Sequence, residues 1–329
     1  MVRSKLFVVI FCAFMMSVAA CDDTVDPILD SDRQFTLWGT LDMNADVQHI
    51  RLIPIREVLD ARLGPTPNVT VRSIDLDTGE TIVWSDSTKT FENGIPIFLY
   101  SAKLRVQPTH TYRIEIESPD LPLITSAETT VPPIPVAEVF EESVTSRTSP
   151  TGAIIVATQK VVWRNLGQNP HQIEQWYRFL EFGFFGFQDL LLPWFPSRGT
   201  AQYRPGVNEL DLTLDLRRQR DSVNKKLNLN QVRLVGLGQT ITVLDAAFVP
   251  PGGEFDAELL AQPGTLSNVE FGFGFIGSVG RFSIEWVISD KSARILSYIP
   301  LSGAPKKSGH DLTSGPRRAR ISAHPWPIE

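Results

Sequence analysis

Apolar and polar residues alternate with a period of two along most of this chain. In TYRIEIE, Tyr112, Ile114 and Ile116 share one face, while Arg113, Glu115 and Glu117 share the other. That pattern predicts a strand with one buried and one wet face. FTLWGTLD, HIRLIPI, VTVRSIDL, TIVWSDS, FLYSAKLRVQP and ITSAETTVP read the same way. DTGE, Asp77–Glu80, supplies a turn between two of them. About seven short strands in about 100 residues predict an immunoglobulin-like β-sandwich over residues 35–131. VPPIP, Val131–Pro135, then marks a boundary, because three prolines in five residues cannot sit in a central strand.

A second, mostly antiparallel β domain with one or two short helices is expected over residues 136–303. AIIVATQKVVW, NELDLTLDL and QVRLVGL read as strands. IEQWYRFLEFGF fits both periods, since Ile173, Trp176, Tyr177 and Leu180 fall on one helical face. Its aromatic content and Gly-rich continuation favour a strand. QTITVLDAAFV is read as a short helix. The whole chain is therefore assigned to the all-β class.

One stretch, FGFGFIGSVGRF, contains the pattern G-x-G-x-x-G at Gly272–Gly277. A dinucleotide-binding turn needs a strand before it and a helix after it. Here Phe271, Phe273 and Phe275 alternate with the glycines, so a strand runs through the motif itself. Bare glycine positions on the other face allow another backbone to approach closely. GSVG is read as the turn of a hairpin leading into RFSIEWVIS. No nucleotide is expected.

The amino terminus sets the compartment. Arg3 and Lys5 precede an apolar run, Leu6–Met16, which is too short for a membrane span of roughly 20 residues. Val18-Ala19-Ala20-Cys21 follows and resembles the lipobox of bacterial lipoproteins. The resemblance implies removal of residues 1–20 as a signal peptide and fatty acylation, such as palmitate, at Cys21. The only other cysteine, Cys12, lies in that signal peptide, so the mature chain has no disulfide and no cysteine chemistry. Residues 21–34 carry Asp22, Asp23, Asp26, Asp30 and Asp32 and read as an acidic tether. At the other end, residues 304–329 combine Lys306, Lys307, Arg317, Arg318 and Arg320 with Ser, Gly and Pro, and are expected to form a disordered basic tail.

A net charge of −6 argues against nucleic-acid binding, which needs a basic face. There is no H-E-x-x-H, G-x-S-x-G or P-loop pattern, and none of the five histidines has metal-ligand spacing to another. No cofactor, metal or catalytic residue is assigned. A carboxylate pair for glycoside hydrolysis remains open, because Asp and Glu are plentiful. FGFFGFQDLLLPWFP, Phe182–Pro196, has two readings. It packs between sheets, or it is a Pro-stiffened loop that presents its apolar side chains outward. Under the second reading Leu190, Leu191, Trp194 and Phe195 are the candidate partner contacts.

Four features together carry a family resemblance. They are the lipobox with its acidic follow-on, TYRIEIESPDLPLITSAETTVPP, VVWRNLGQNPHQIEQWYRF, and SNVEFGFGFIGS. They resemble a domain-of-unknown-function family of Bacteroidota-type outer-membrane lipoproteins. Trp176-Tyr177 departs from it, standing where that family more usually has two tyrosines. The resemblance implies a lipid-anchored outer-membrane protein, with the leaflet left open. It also implies a place near TonB-dependent receptors, as a non-enzymatic transport accessory to an outer-membrane β-barrel. A cell-surface adhesin or glycan-binding module is the alternative expectation, and a hydrolase is a third.

Overall fold

The computed structural model describes residues 32–55, 66–90, 96–149, 152–181, 187–193, 200–245, 267–300, 317–318 and 321–322. They form an all-β, sandwich-like fold with two short helices. The largest sheet has ten strands among the described residues. Its order is β15 (Phe187–Pro193), β14 (Gln172–Glu181), β18 (Val232–Leu244), β20 (Gly272–Trp286), β1 (Phe35–Asp42), β2 (Val47–Pro54), β8 (Leu99–Lys103) and β5 (Ser85–Asp86). β21 (Ile299–Pro300) lies beside β18, and β23 (Ile321–Ser322) beside β20. A five-stranded sheet runs β19 (Val269–Glu270), β10 (Thr125–Thr130), β9 (Thr111–Glu117), β3 (Thr70–Asp75), β4 (Thr81–Val83). A six-stranded sheet runs β16 (Ala201–Arg204), β17 (Glu209–Asp215), β13 (Gly152–Arg164), β11 (Val136–Val139), β22 (Arg317–Arg318), with β12 (Ser143–Ser149) also on β13. β6 (Lys89–Thr90) and β7 (Pro96–Ile97) make a small separate ribbon.

Both smaller sheets pack on the same face of the large one. Phe35, Leu37, Leu41, Ile50 and Leu52 of the large sheet meet Val71, Tyr112, Ile114 and Ile116 of the five-stranded sheet. Tyr177, Phe179, Leu237, Ile241, Phe282 and Ile284 meet Val161, Trp163, Leu210, Leu212 and Leu214 of the six-stranded sheet. Two cores therefore sit side by side under one continuous sheet. β20 serves both, with Ile276 in the first and Phe282 and Ile284 in the second. β1 lies parallel to β20, so the first described strand is paired to one more than 230 positions later.

The chain reaches β20 by turning a corner. Val269 and Glu270 pair with β10 in the five-stranded sheet. Phe271 then takes a left-handed φ of 51°, and Gly272 opens β20 in the other sheet. Asn268 braces the bend. Its side-chain amide donates to the carbonyls of Ile276 (2.7 Å) and Glu128 (2.9 Å), and its carbonyl accepts the Ile276 N–H (3.0 Å). Strands commonly change sheets at such bends.

A second knot lies where the two cores meet, just before the Val131–Pro135 segment. The Asp245 carboxylate accepts hydrogen bonds from the Thr129 hydroxyl (2.5 Å) and the Thr130 N–H (3.1 Å). The Asp245 N–H donates to the Ser278 carbonyl, and the Ser278 hydroxyl donates to that of Thr130 at 2.7 Å. Thr129, Asp245 and Ser278 are all buried.

Three expectations need correction. FGFGFIGSVGRF is not a hairpin, because Gly272–Trp286 is one unbroken strand. Gly277 and Gly280 are recesses rather than a turn: a Cβ there would lie 2.5 Å from the Phe275 ring and 2.7 Å from the Phe282 ring. QTITVLDAAFV is not a helix as far as Leu244, where β18 ends; residues 246–249 lie outside the described set. β18 is buried on both faces, which erases the period-two signal. The tail, expected to be disordered, contributes β22, paired with β11, and β23, paired with β20; its other residues are outside the described set.

The helices arise from sequence that reads as strand or loop. α1 (Leu216–Asn224) follows β17 without a break, because the Asp215 side chain accepts the Arg218 N–H at 3.0 Å and caps it. Leu216, Gln219 and Val223 give it a buried face. α2 (Asp290–Ile295) is capped in the same way by Ser289.

Candidate functional site

The large sheet has one face on the two cores and one face outward. Along the outward face the side chains come from the other phase of the same strands. β1 shows the division: Phe35, Leu37 and Leu41 point in, while Trp38 points out and is 50% exposed. Trp38 sits on a central strand, opposite Phe275 on one side and Arg51 on the other. Phe275 lies flat over Gly277. Next to it, the Arg33 guanidinium sits 4.3 Å from the centre of the Phe273 ring, within cation–π range. The signal for Trp38 was present in the sequence, because it falls out of phase with the apolar residues of its own strand.

At the far edge of the same face, Trp176 covers Gly238, where a Cβ would lie 1.9 Å from the ring. The Arg178 guanidinium is 5.2 Å from the Trp176 ring and forms an ion pair with Glu285 at 2.9 Å. Leu191 of β15 stands opposite Trp176 and is 48% exposed. Leu190 and Leu192 turn the other way and pack on the second core. The segment is thus a strand through Pro193, with alternate leucines in and out, and not a loop from its start. Of the four candidate contacts, Leu191 is exposed and Leu190 is half-buried; Trp194 and Phe195 lie outside the described residues, as does Cys21.

A second cluster carries more conventional chemistry. Asp75 ends β3 and His110 precedes β9, and the pairing of those strands brings them together. The Asp75 and His110 side chains are 2.8 Å apart. Asp75 also accepts the N–H groups of Asp77 (2.9 Å) and Thr78 (3.2 Å), which closes the DTGE turn. Potential ligand atoms of Asp75, Asp77 and His110 lie within 4.8 Å of one another. The residues present have the donor set for a divalent cation, but each Asp75 oxygen is already occupied, and Asp77 accepts the Thr111 N–H. The adjoining cavity is about 110 Å³ and includes Ser73, Glu80, Arg105 and Tyr112. Small-molecule sites usually need about 300 Å³ or more. Sequence spacing gave no hint of this cluster, because the two strands that bring it together are 35 residues apart.

The pair titrates as a clamp. Burial pushes Asp75 up, but the His110 hydrogen bond and the two backbone donors outweigh it and hold the carboxyl below its ordinary 3.8. Asp75 in turn, through the shared hydrogen bond, raises His110 above 6.5 against the smaller effect of desolvation. The His110 contribution to stability is complete below about pH 6.5 and is lost as pH rises through its folded value. The Asp75 contribution is complete above about pH 3.8 and is lost as pH falls through its folded value. Thermal melts are therefore expected to show a midpoint that falls as pH rises above about 6.5. In His110→Gln that slope should flatten; an identical slope would assign it to other groups.

No family model matches the chain, and no curated protein matches it. Among solved structures, a chain titled "Cytokine receptor complex - Crystal form 1A" is similar over 74% of this chain and 94% of its own length. The identity is 10% and the TM-score 0.20, which is too distant to carry an argument.

Proposed function

We propose that this chain is a non-enzymatic, lipid-anchored outer-membrane binding protein and an accessory to a β-barrel transporter of the TonB-dependent type. Cys21 is the anchor, and the β15 edge is the contact. The observation that carries this reading is the exposed Leu191 on the terminal strand of a ten-stranded sheet. Among the described residues, β15 pairs only with β14. An uncovered strand edge offers a row of N–H and C=O groups to a partner strand, and exposed alternate side chains set specificity. The Asp75–His110 cluster is spent on holding a turn beside a small cavity, which supports binding over catalysis.

Affinity recovery from cross-linked outer membranes, with a tag after Glu329, tests the reading. A β-barrel receptor is expected in near-stoichiometric amount. Leu191→Asp should reduce its recovery on the order of 30-fold, the scale of a lost interface hot spot. Because Leu191 is solvent-exposed, the substitution leaves both cores intact. Recovery of this chain alone, or equal recovery with Leu191→Asp, would overturn the assignment.

A further inference from the structure

The three sheets treat their outward charges differently. On the five-stranded sheet, Arg72 pairs with Glu115 at 2.7 Å and Arg113 with Glu128 at 2.5 Å. On the six-stranded sheet, Arg164 pairs with Glu209 at 2.8 Å and Arg204 with Glu209 at 2.5 Å. Cross-strand pairs of that kind neutralise a solvated face. The large sheet does something else around Trp38. Its outward positions on β1, β2 and β8 are Thr36, Trp38, Thr40, Val47, His49, Arg51, Ile53, Leu99, Ser101 and Lys103, with Asp42 only at the far end of β1. Asp42 is turned back onto the Asn44 N–H at 2.8 Å. Arg33, Arg51 and Lys103 are exposed, and no described carboxylate forms an ion pair with them.

The result is a patch with the exposed Trp38 indole at its centre, Phe273 and the buried Phe275 beside it, and Arg33, Arg51 and, towards the Asp42 end, Lys103, none of them ion-paired with a described carboxylate. Trp is favoured at a membrane–water interface because its ring is apolar and its N–H is polar. Arg and Lys stems lie along apolar surface while their heads reach phosphate. Chain length fixes which surface is at hand. Arg33 is the twelfth residue after Cys21, and an extended segment of that length spans at most about 40 Å. If Cys21 holds a lipid, β1 cannot leave the vicinity of the membrane.

We propose that the Trp38 face is a second membrane contact, seated on the phosphates of an anionic lipid surface and orienting the chain that Cys21 tethers. This rests on the anchor assigned above. A basic patch beside a lipid anchor adds an electrostatic contact that orients the anchored chain.

The test is co-flotation of the non-lipidated mature chain, residues 22–329, which keeps every residue of both cores. Vesicles of phosphatidylcholine alone are compared with vesicles of phosphatidylcholine and phosphatidylglycerol in equal parts. Binding is expected only to the anionic vesicles and should be lost in high salt. Each of Arg33→Ala, Arg51→Ala and Lys103→Ala should weaken partitioning about fivefold, and Trp38→Ala should weaken it while Trp38→Phe retains part of it. Equal binding to both vesicles, or binding unaffected by these substitutions, overturns the proposal. So does binding that emerges only after the aspartates at 22, 23, 26, 30 and 32 are changed to asparagine, which would make the chain's own tether the occupant. A preference for soluble acidic glycans over vesicles also overturns it. The anchor is read separately, since Cys21→Ala should abolish metabolic fatty-acid labelling. Persistent labelling removes the anchor without touching the vesicle result.

Discussion

Gly274→Ala is expected to destabilise the chain by about 3–5 kcal/mol, a large fraction of the stability of an ordinary domain. Two effects add. Gly274 has φ +96°, a region that costs a residue with a side chain roughly 1–2 kcal/mol. A Cβ there would also lie 1.9 Å from the Leu37 carbonyl oxygen and 2.9 Å from its carbonyl carbon. Those atoms belong to the backbone of β1, so the clash cannot be relieved by a rotamer change. Relief requires separating β1 from β20, which opens the first core at Leu37 and Ile276. Two other glycines divide the effect into parts. Gly79 has φ +77° with nothing near a Cβ, so Gly79→Ala should show the conformational cost alone, about 1 kcal/mol. Gly206 has neither constraint, and Gly206→Ala should be neutral or stabilising by about 0.5 kcal/mol. Chemical denaturation of the three variants checks the order. A Gly274→Ala loss no larger than that of Gly79→Ala would mean that β1 and β20 are not held this close.

That close approach is also where the sequence was most and least readable. The alternation of aromatic and glycine in FGFGF declares a strand with bare positions, and side chains at Gly272 and Gly274 would run into the carbonyl oxygens of Phe35 and Leu37 on the paired strand β1. The same residue type then misleads. Gly277 and Gly280 look like turn residues, because glycine marks turns more often than it marks recesses under rings. Gly238 beneath Trp176 is the same device. TYRIEIE and ELDLTLD were legible because each has one wet face. β18 was not, because residues on both sides of it are buried. α1 escaped because Leu216 continues the alternation of β17, and the change of period comes only after the Asp215 cap. For the outward face, the phase of Trp38 was readable from β1 alone. Its meaning needed the strand order, which brings Phe273 and Phe275 beside it from more than 230 positions away.

Asp245→Ala is expected to cost about 3–5 kcal/mol and, more tellingly, to separate the unfolding of the two cores. The Asp245 carboxylate is the described partner of the Thr129 hydroxyl and the Thr130 N–H. Thr129 is buried, and leaving its hydroxyl unpaired beside the emptied carboxylate site costs about 1–3 kcal/mol. Asp245→Asn keeps an acceptor and should lose only about 1–2 kcal/mol. The position matters as much as the number. β10 belongs to the sheet over the first core, and Asp245 follows the strand that carries Leu237 and Ile241 into the second. Besides β20, this knot joins the two at the point where the chain passes from one to the other. With it intact, probes of Trp84 in the first core and Trp163 in the second should report one shared transition. Without the carboxylate, the coupling falls to β20 with its Ser278–Thr130 bond and to Met43, which packs on both cores, and the two tryptophans should melt at different denaturant concentrations. A single transition in Asp245→Ala, shifted by less than about 1 kcal/mol, would mean that the continuous sheet suffices to couple the cores and that the knot is incidental.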